Sequence, residues 1–437
     1  MGHLGHLRQE YQDLIERLEG GPVSLPMPSD PTARAAWQEI LEILFTPEDA
    51  ALAAKLPVRP SSLAKIASLL GMTPEALRPR LDAMADKGLV LDLIHPETGK
   101  ERWILAPPVV GFLEFSLMRA SDSIPKDRMS RAMDAYVHGD DTFARELFGG
   151  ETVIGRALVQ EDALGEGQAP TVVDWESATA ILETATNIAV SLCYCRHMAE
   201  HVGRRCDAPL ENCLSLNVGA DFVVRRGFGR KVGSSEALDI LHAARDQGLV
   251  QIGDNIRDKP TYMCNCCGCC CGQLEVISTL GFPAVNPSAF EATADPDQCK
   301  GCGKCARACP IGAVSLVAVR VEGQRKGRPV ARVDRERCIG CGVCANACRR
   351  KVMTMVPRPK RGYVPATLME RTLLMAIERG HLAHFVFDQG QSRGHRFLNH
   401  ALQALCNLPP AKRALAHGQL KSRFVSYALG KVPDPMG

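Results

Sequence analysis

The chain has 437 residues, enough for two to four domains of roughly 100–200 residues each. An apolar fraction of 46% and a charged fraction of 23% exclude disorder over most of the chain, and a net charge of +3 favours no class of partner. No run of about 18 apolar residues occurs, and the start lacks the apolar core of a secretory signal, so we expect a cytoplasmic protein without a membrane span.

We expect two units in the first third of the chain. Residues 1–31 hold a short helix candidate and then a linker rich in Pro and Gly. Residues 32–115 show three stretches of helical periodicity, followed by two short strands that a polar turn joins. Thr73 and Pro74 are expected to begin the third helix, inside which Pro79 removes one backbone hydrogen bond. This order resembles a winged helix-turn-helix domain.

The remaining units complete an α+β multidomain protein. They are a helical connector (116–170), a Cys-rich α/β domain (171–285), a ferredoxin-like domain (286–360) and a C-terminal helical segment (361–437). Within the Cys-rich domain, apolar periodicity predicts helices over 176–190 and 234–247.

Cysteine usage indicates the chemistry, because 18 of the 19 cysteines lie between Cys193 and Cys348. Disulfides rarely persist in a reducing compartment, so cysteines at this density indicate bound metal. Eight of them form two copies of C-x2-C-x2-C-x3-C at an offset of 39 residues. The first copy is Cys299, Cys302, Cys305 and Cys309, and the second is Cys338, Cys341, Cys344 and Cys348.

Both copies suit iron–sulfur chemistry, since such clusters favour soft thiolate ligands and the intervening glycines permit the tight loop. The pattern resembles the bacterial two-cluster 4Fe-4S ferredoxin. That resemblance implies a first cluster on Cys299, Cys302, Cys305 and Cys348, and a second on Cys338, Cys341, Cys344 and Cys309. Zinc is the alternative, which the doubled spacing disfavours.

This region departs from the ferredoxin pattern in two ways. Arg349 replaces the Pro that follows the last cysteine, and a long insert with two strand candidates, 313–319 and 330–333, separates the repeats. Positive charge favours the reduced cluster, so we expect the higher potential at the second cluster, or at whichever cube Arg349 approaches. Residues 320–361 carry 13 Lys or Arg against 3 Asp or Glu. These cations either balance the anionic clusters or dock an acidic electron-transfer partner.

The other ten cysteines form a second constellation that ends in the run Cys-Asn-Cys-Cys-Gly-Cys-Cys-Cys from residue 264. A third iron–sulfur cluster is the favoured interpretation, with zinc or a redox dithiol as alternatives. The favoured candidate ligands are Cys195, Cys206, Cys213, Cys264, Cys266 and Cys267. The run resembles, over a few residues, the CCG motif of heterodisulfide reductase. Most of the chain is similar to uncharacterised iron–sulfur proteins of anaerobes.

Three nearby side chains have alternative roles. If the segment is helical, His197 and His201 share a helix face. Either they donate a hydrogen bond to a cluster sulfur, or they are exposed histidines without a functional role. Arg196 either offsets cluster charge or makes a surface salt bridge.

These patterns predict an electron-transfer protein or subunit that relays single electrons to a partner, a flavoprotein or reductase subunit. No G-x-G-x-x-G fingerprint occurs, so a flavin or nicotinamide would belong to that partner. One alternative is an iron–sulfur sensor that regulates transcription through the winged helix. We do not expect DNA binding, because residues 74–87 are net neutral, and we expect that unit to dock a protein or form an oligomer. The other alternative is a reductase with its active centre at the cysteine run.

Overall fold

The computed structural model describes residues 7–57, 59–165, 172–319 and 327–381. Its N-terminal part is helical apart from one hairpin. In chain order it holds α1 Gln9–Glu19, α2 Pro31–Leu44, α3 Pro47–Ala53, α4 Leu63–Leu70, α5 Pro74–Asp86, β1 Val90–Ile94, β2 Glu101–Leu105, α6 Leu113–Phe115, α7 Lys126–Gly139 and α8 Thr142–Phe148. Thr73 caps α5 through its side chain, and the helix runs through Pro79 without interruption.

A mixed seven-stranded sheet forms the centre of the described chain, in the order β6-β4-β5-β8-β7-β3-β9. Its pairs are antiparallel except for β3 with β9. The elements are β3 Gly155–Ala157, α9 Ala178–Thr184, β4 Ile188–Leu192, α10 Tyr194–His201, β5 Glu211–Leu216, α11 Asn217–Arg225, β6 Arg230–Val232, α12 Ser234–Asp246, β7 Val250–Asp254, β8 Tyr262–Cys266, α13 Gly272–Thr279 and β9 Val285–Asn286.

The last part of the described chain has short helices between two-stranded sheets. It contains β10 Phe290–Ala294, α14 Lys304–Ala308, β11 Val314–Val319, β12 Arg328–Val333, α15 Val343–Asn346, β13 Met353–Pro357 and α16 Leu368–Glu378. Strand β10 pairs with β13, and β11 pairs with β12. The strand pair expected in the insert is therefore present. The leucines expected to continue the C-terminal helices, Leu398, Leu402 and Leu405, lie outside the described residues.

Polar contacts join these three parts. Arg226, at the end of α11, contacts Asp82 and Asp86 on α5 and the buried Asp92 on β1. Gln160 follows β3; its backbone N–H donates to the Cys341 carbonyl, and its side chain accepts from Asn346. These hydrogen bonds hold the segment that contains Cys341 and Asn346 directly against Gln160.

Two segments differ from the sequence prediction. The helix expected over 176–190 ends at Thr184, and 188–192 form strand β4, because Ile188 and Val190 alternate into a buried sheet face. The predicted helical connector, 116–170, contains β3, so the sheet begins before residue 171. Among the described helices, none combines the length and apolar character needed to cross a membrane.

Candidate metal centres

A cavity of about 220 Å³ lies at the surface of the ferredoxin-like region. The cysteines that line it are Cys299, Cys302, Cys305 and Cys348. The backbone N–H groups of Gly301 and Ala331 each donate to Cys299 Sγ at 3.4 Å, which stabilises a thiolate there. This cavity therefore gathers the four cysteines that the ferredoxin resemblance assigns to its first cluster.

Of the other four repeat cysteines, Cys341 and Cys344 are buried, whereas Cys309 and Cys338 are half-buried. Burial, together with the neighbouring Cys309 and Cys338, raises the pKa of the Cys341 thiol to about 12. Burial likewise raises the pKa of Cys344, with Cys341 and Cys338 adding to the shift. Neighbouring buried thiols such as Cys341 and Cys344 are stable as thiolates only when a cation or cluster binds them.

Six further cysteines form what we call the inner thiol cluster: Cys193, Cys195, Cys213, Cys264, Cys266 and Cys271. They line one small cavity next to the central sheet, which Cys267 and Cys270 also border. Strands β5 and β8 pair Leu214 with Met263, and the next pair in this register is Cys213 with Cys264. Cys266 lies two residues farther along β8, so these three thiols share one sheet face. The opposite face packs against α9 and α12.

Two helix N-termini complete the inner thiol cluster. Cys193 is the N-cap residue of α10, and Cys271 is the N-cap residue of α13. Hydrogen bonds from the Cys195 and Cys266 thiols lower the pKa of Cys271 to about 5. Helix N-termini carry partial positive charge, so both helices favour an anionic group in the cavity.

Buried polar groups surround the same cavity. Arg196 is only 1% exposed; it donates to the Asn212 side chain at 2.7 Å and to the Asn265 carbonyl at 2.6 Å. Asn212 Nδ2 is buried without a hydrogen-bond partner among the described residues, which leaves a donor for a bound group. Burial also raises the pKa of Glu114 to about 7, and the Cys264 thiol adds to that shift. The cavity lining thus offers thiols, a cation and a free donor.

The remaining four cysteines form a separate set, which we call the outer thiol group: Cys206, Cys267, Cys269 and Cys270. Their Sγ atoms all lie within 4.8 Å of one another. Cys206 belongs to the loop after α10, whereas the other three belong to the loop between β8 and α13. Two loops separated by about 60 residues of sequence therefore meet at this point.

The structure distributes the six candidate ligands of the second constellation over both sets. Cys195, Cys213, Cys264 and Cys266 lie in the inner thiol cluster, whereas Cys206 and Cys267 lie in the outer thiol group. The sequence analysis did not single out Cys193, Cys269, Cys270 and Cys271. Alternation along a strand could not have identified them, because these four residues lie outside the strands.

The other side chains highlighted by the sequence have definite partners. His197 Nδ1 contacts the Leu117 carbonyl at 2.7 Å, and His201 Nε2 lies 3.3 Å from His197 Nε2. Arg196 makes no surface salt bridge within the described residues, because it is buried and its charge faces thiols and carbonyls.

The basic residues of the ferredoxin-like region divide into two groups. Arg328, Arg337 and Arg358 donate to backbone carbonyls of the cluster-binding loops and their neighbours, so they are structural. Four exposed cations instead line the 220 Å³ cavity: Lys300, Lys304, Arg349 and Arg350. Arg349 therefore approaches the cysteine set of the first cluster, which the alternative in the sequence prediction allows.

Comparison with known proteins identifies one region. A family model described as a 4Fe-4S dicluster domain matches residues 291–362. No match to the chain was found among curated proteins or solved structures. The chain thus contains a ferredoxin-type domain that holds two 4Fe-4S clusters, as the cysteine repeats predict.

Proposed function

We propose that this protein transfers single electrons through three iron–sulfur centres to a partner oxidoreductase. The dicluster domain supplies two of them, with the ligand sets that the ferredoxin resemblance implies, and the inner thiol cluster supplies the third. The observation that carries the proposal is the layering of the cysteines from the surface inwards. The first layer is the set of cysteines that line the surface cavity. The second layer contains Cys309, Cys338 and Cys341, and the third is the inner thiol cluster next to the central sheet.

Contacts between the layers support this route. Cys341, Cys266 and Cys271 belong to one continuous buried core, against which Cys309 and Cys338 also pack. Gly268 lies in the loop that follows β8, very close to Pro310. A Cβ added to Gly268 would lie 2.4 Å from the carbonyl oxygen of Pro310. Pro310 directly follows Cys309. The cysteine run and the second ferredoxin-type site are therefore in direct backbone contact.

The surface cavity is the proposed entry or exit point for electrons. Cys302 is exposed, and the four cations that line the cavity are exposed as well. A basic rim steers an acidic partner and speeds its association at low ionic strength. This surface suits an acidic flavoprotein or reductase subunit that brings its own flavin or nicotinamide.

Neutralising this rim is expected to lower the reduction potential of one 4Fe-4S cluster. Arg349→Gln combined with Arg350→Gln should lower it by tens of millivolts, because the reduced cluster is more negative than the oxidised one and is stabilised more by the two cations. A redox titration followed by EPR measures it. Lys351→Gln, which removes a neighbouring charge outside the cavity lining, is the control and should have the smaller effect. Equal shifts would argue against this face, and a chain purified anaerobically without iron would refute the proposed function.

The inner thiol cluster also supports the reductase alternative. It offers six thiols, whereas a 4Fe-4S cube uses four. Surplus thiols around a buried cavity leave a position at which a substrate could react.

The sensor alternative receives less support from the N-terminal part. Residues 31–105 follow the element order of a winged helix, in which α5 would be the recognition helix. The cations of α5 and of its C-cap have internal partners: Arg78 pairs with Glu101 at 2.5 Å, Arg80 donates to the Glu48 carbonyl at 3.5 Å, and Lys87 pairs with Asp49 at 2.8 Å. The acidic side chains of α5 bind Arg226 of the central part. We infer that this unit is a packing platform for the Cys-rich sheet.

Duplex DNA should consequently bind only weakly. Phosphate contacts require free Lys and Arg side chains, so the dissociation constant at physiological salt should be no tighter than about micromolar. Fluorescence anisotropy with mixed-sequence duplexes measures it. A nanomolar, sequence-specific footprint would contradict this expectation and favour the sensor.

A further inference from the structure

The outer thiol group has the spacing of ligands that share a single metal ion. Cys206 Sγ lies 3.7 Å from Cys267 Sγ, and Cys269 Sγ lies 3.8 Å from Cys270 Sγ. Four sulfurs held tetrahedrally about 2.3 Å from one zinc ion are ~3.8 Å apart. In a 4Fe-4S cube each thiolate binds a different iron, so the four sulfurs radiate outwards and lie farther apart. The outer thiol group is thus too compact for a cube.

We propose that Cys206, Cys267, Cys269 and Cys270 bind one structural zinc ion, separate from the iron–sulfur centres. Four thiolates without an open position make a closed site of the structural type. Cys269 is exposed, so the site reaches the surface, whereas every residue of the inner thiol cluster is buried or half-buried.

The position of the site gives the ion a purpose. It joins the loop after α10 to the loop that carries Gly268, whose backbone contacts Pro310 in the dicluster domain. The same loop leads into Cys271, the N-cap residue of α13 and a member of the inner thiol cluster. Binding one ion here would fix both the entrance to the buried centre and the contact with the second ferredoxin-type site, because metal binding is coupled to local folding.

Metal analysis of the full chain, purified anaerobically, tests this assignment without any variant. We expect about one zinc per chain beside the iron, and zinc-edge X-ray absorption should give four sulfur neighbours at about 2.3 Å. The assignment is overturned if zinc is absent, or if its neighbours include nitrogen or oxygen.

Variants distinguish this site from the iron–sulfur centres. Cys269→Ser, at the exposed ligand, should lower zinc by at least tenfold at a fixed chelator concentration and leave the dicluster iron in place. Cys213→Ala, in the inner thiol cluster, should keep its zinc. If Cys269→Ser loses about four irons and no zinc, the assignment is overturned and the outer thiol group binds an iron–sulfur cluster. If it loses a single iron, the ion bound there is iron rather than zinc. Neither result affects the proposed electron transfer, which depends on the other centres.

Discussion

Replacing Gly340 by alanine is expected to remove one of the two 4Fe-4S clusters. Gly340 lies between Cys338 and Cys341 with φ at +73°, and an added Cβ would lie 2.1 Å from the Phe290 carbonyl oxygen. That oxygen cannot move away easily, because Phe290 begins β10, which pairs with β13. The loop would have to shift instead, and the cysteines on either side of it would lose their positions. The iron and sulfide held by the dicluster domain should fall from about eight of each to about four.

Gly312→Ala is a matched control for the backbone angle. Gly312 also has a positive φ, +65°, but nothing lies within 4 Å of a Cβ added there. Alanine at this position should lower the free energy of unfolding by about 1–2 kcal/mol, because it must adopt the left-handed conformation. Both clusters should stay in place. EPR spectra of the two variants after reduction make the comparison. Two intact cluster signals in Gly340→Ala would contradict the close packing of this loop against β10.

The dicluster domain could be predicted from sequence because its ligands are local. In each repeat, three of the four cysteines lie within seven residues, and a tight loop alone brings them together. The spacing therefore predicts three ligands of each cluster. The exchange of the last cysteine between the two clusters came only from the ferredoxin resemblance. Helices with clear caps were predictable for the same reason. Thr73 and Ser62 each cap the helix that follows them.

The partition of the other ten cysteines could not be predicted, because it depends on long-range pairing. Cys213 and Cys264 are 51 residues apart in sequence and meet only through the register of β5 and β8. Cys267 follows Cys266 directly, yet only Cys267 belongs to the outer thiol group, which forms beyond the end of β8. A strand that begins inside a predicted helix, as β4 does after Thr184, adds to the difficulty. Tertiary packing overrides local periodicity at such points.

Replacing Cys213 by alanine should empty the third centre and spare the other two. Cys213 lies in the inner thiol cluster next to Cys264, and the described residues that line its cavity all fall between 193 and 273. Iron in excess of the eight expected for the dicluster domain should be lost, while the EPR signals of the two ferredoxin-type clusters remain. Limited proteolysis should also cut more readily within residues 172–285, because an empty site no longer links β5, β8 and the two helix N-termini.

Ser215→Ala is the matched control for that experiment. Ser215 lies two residues farther along β5, on the same face and buried in the sheet, but it carries no thiol. This variant should keep the full iron content and the protease resistance of the parent chain. Should Cys213→Ala, Cys195→Ala and Cys264→Ala all match Ser215→Ala, the inner thiol cluster binds no iron. The cavity would then be a redox dithiol site, and alkylation of its thiols should differ between reduced and oxidised protein.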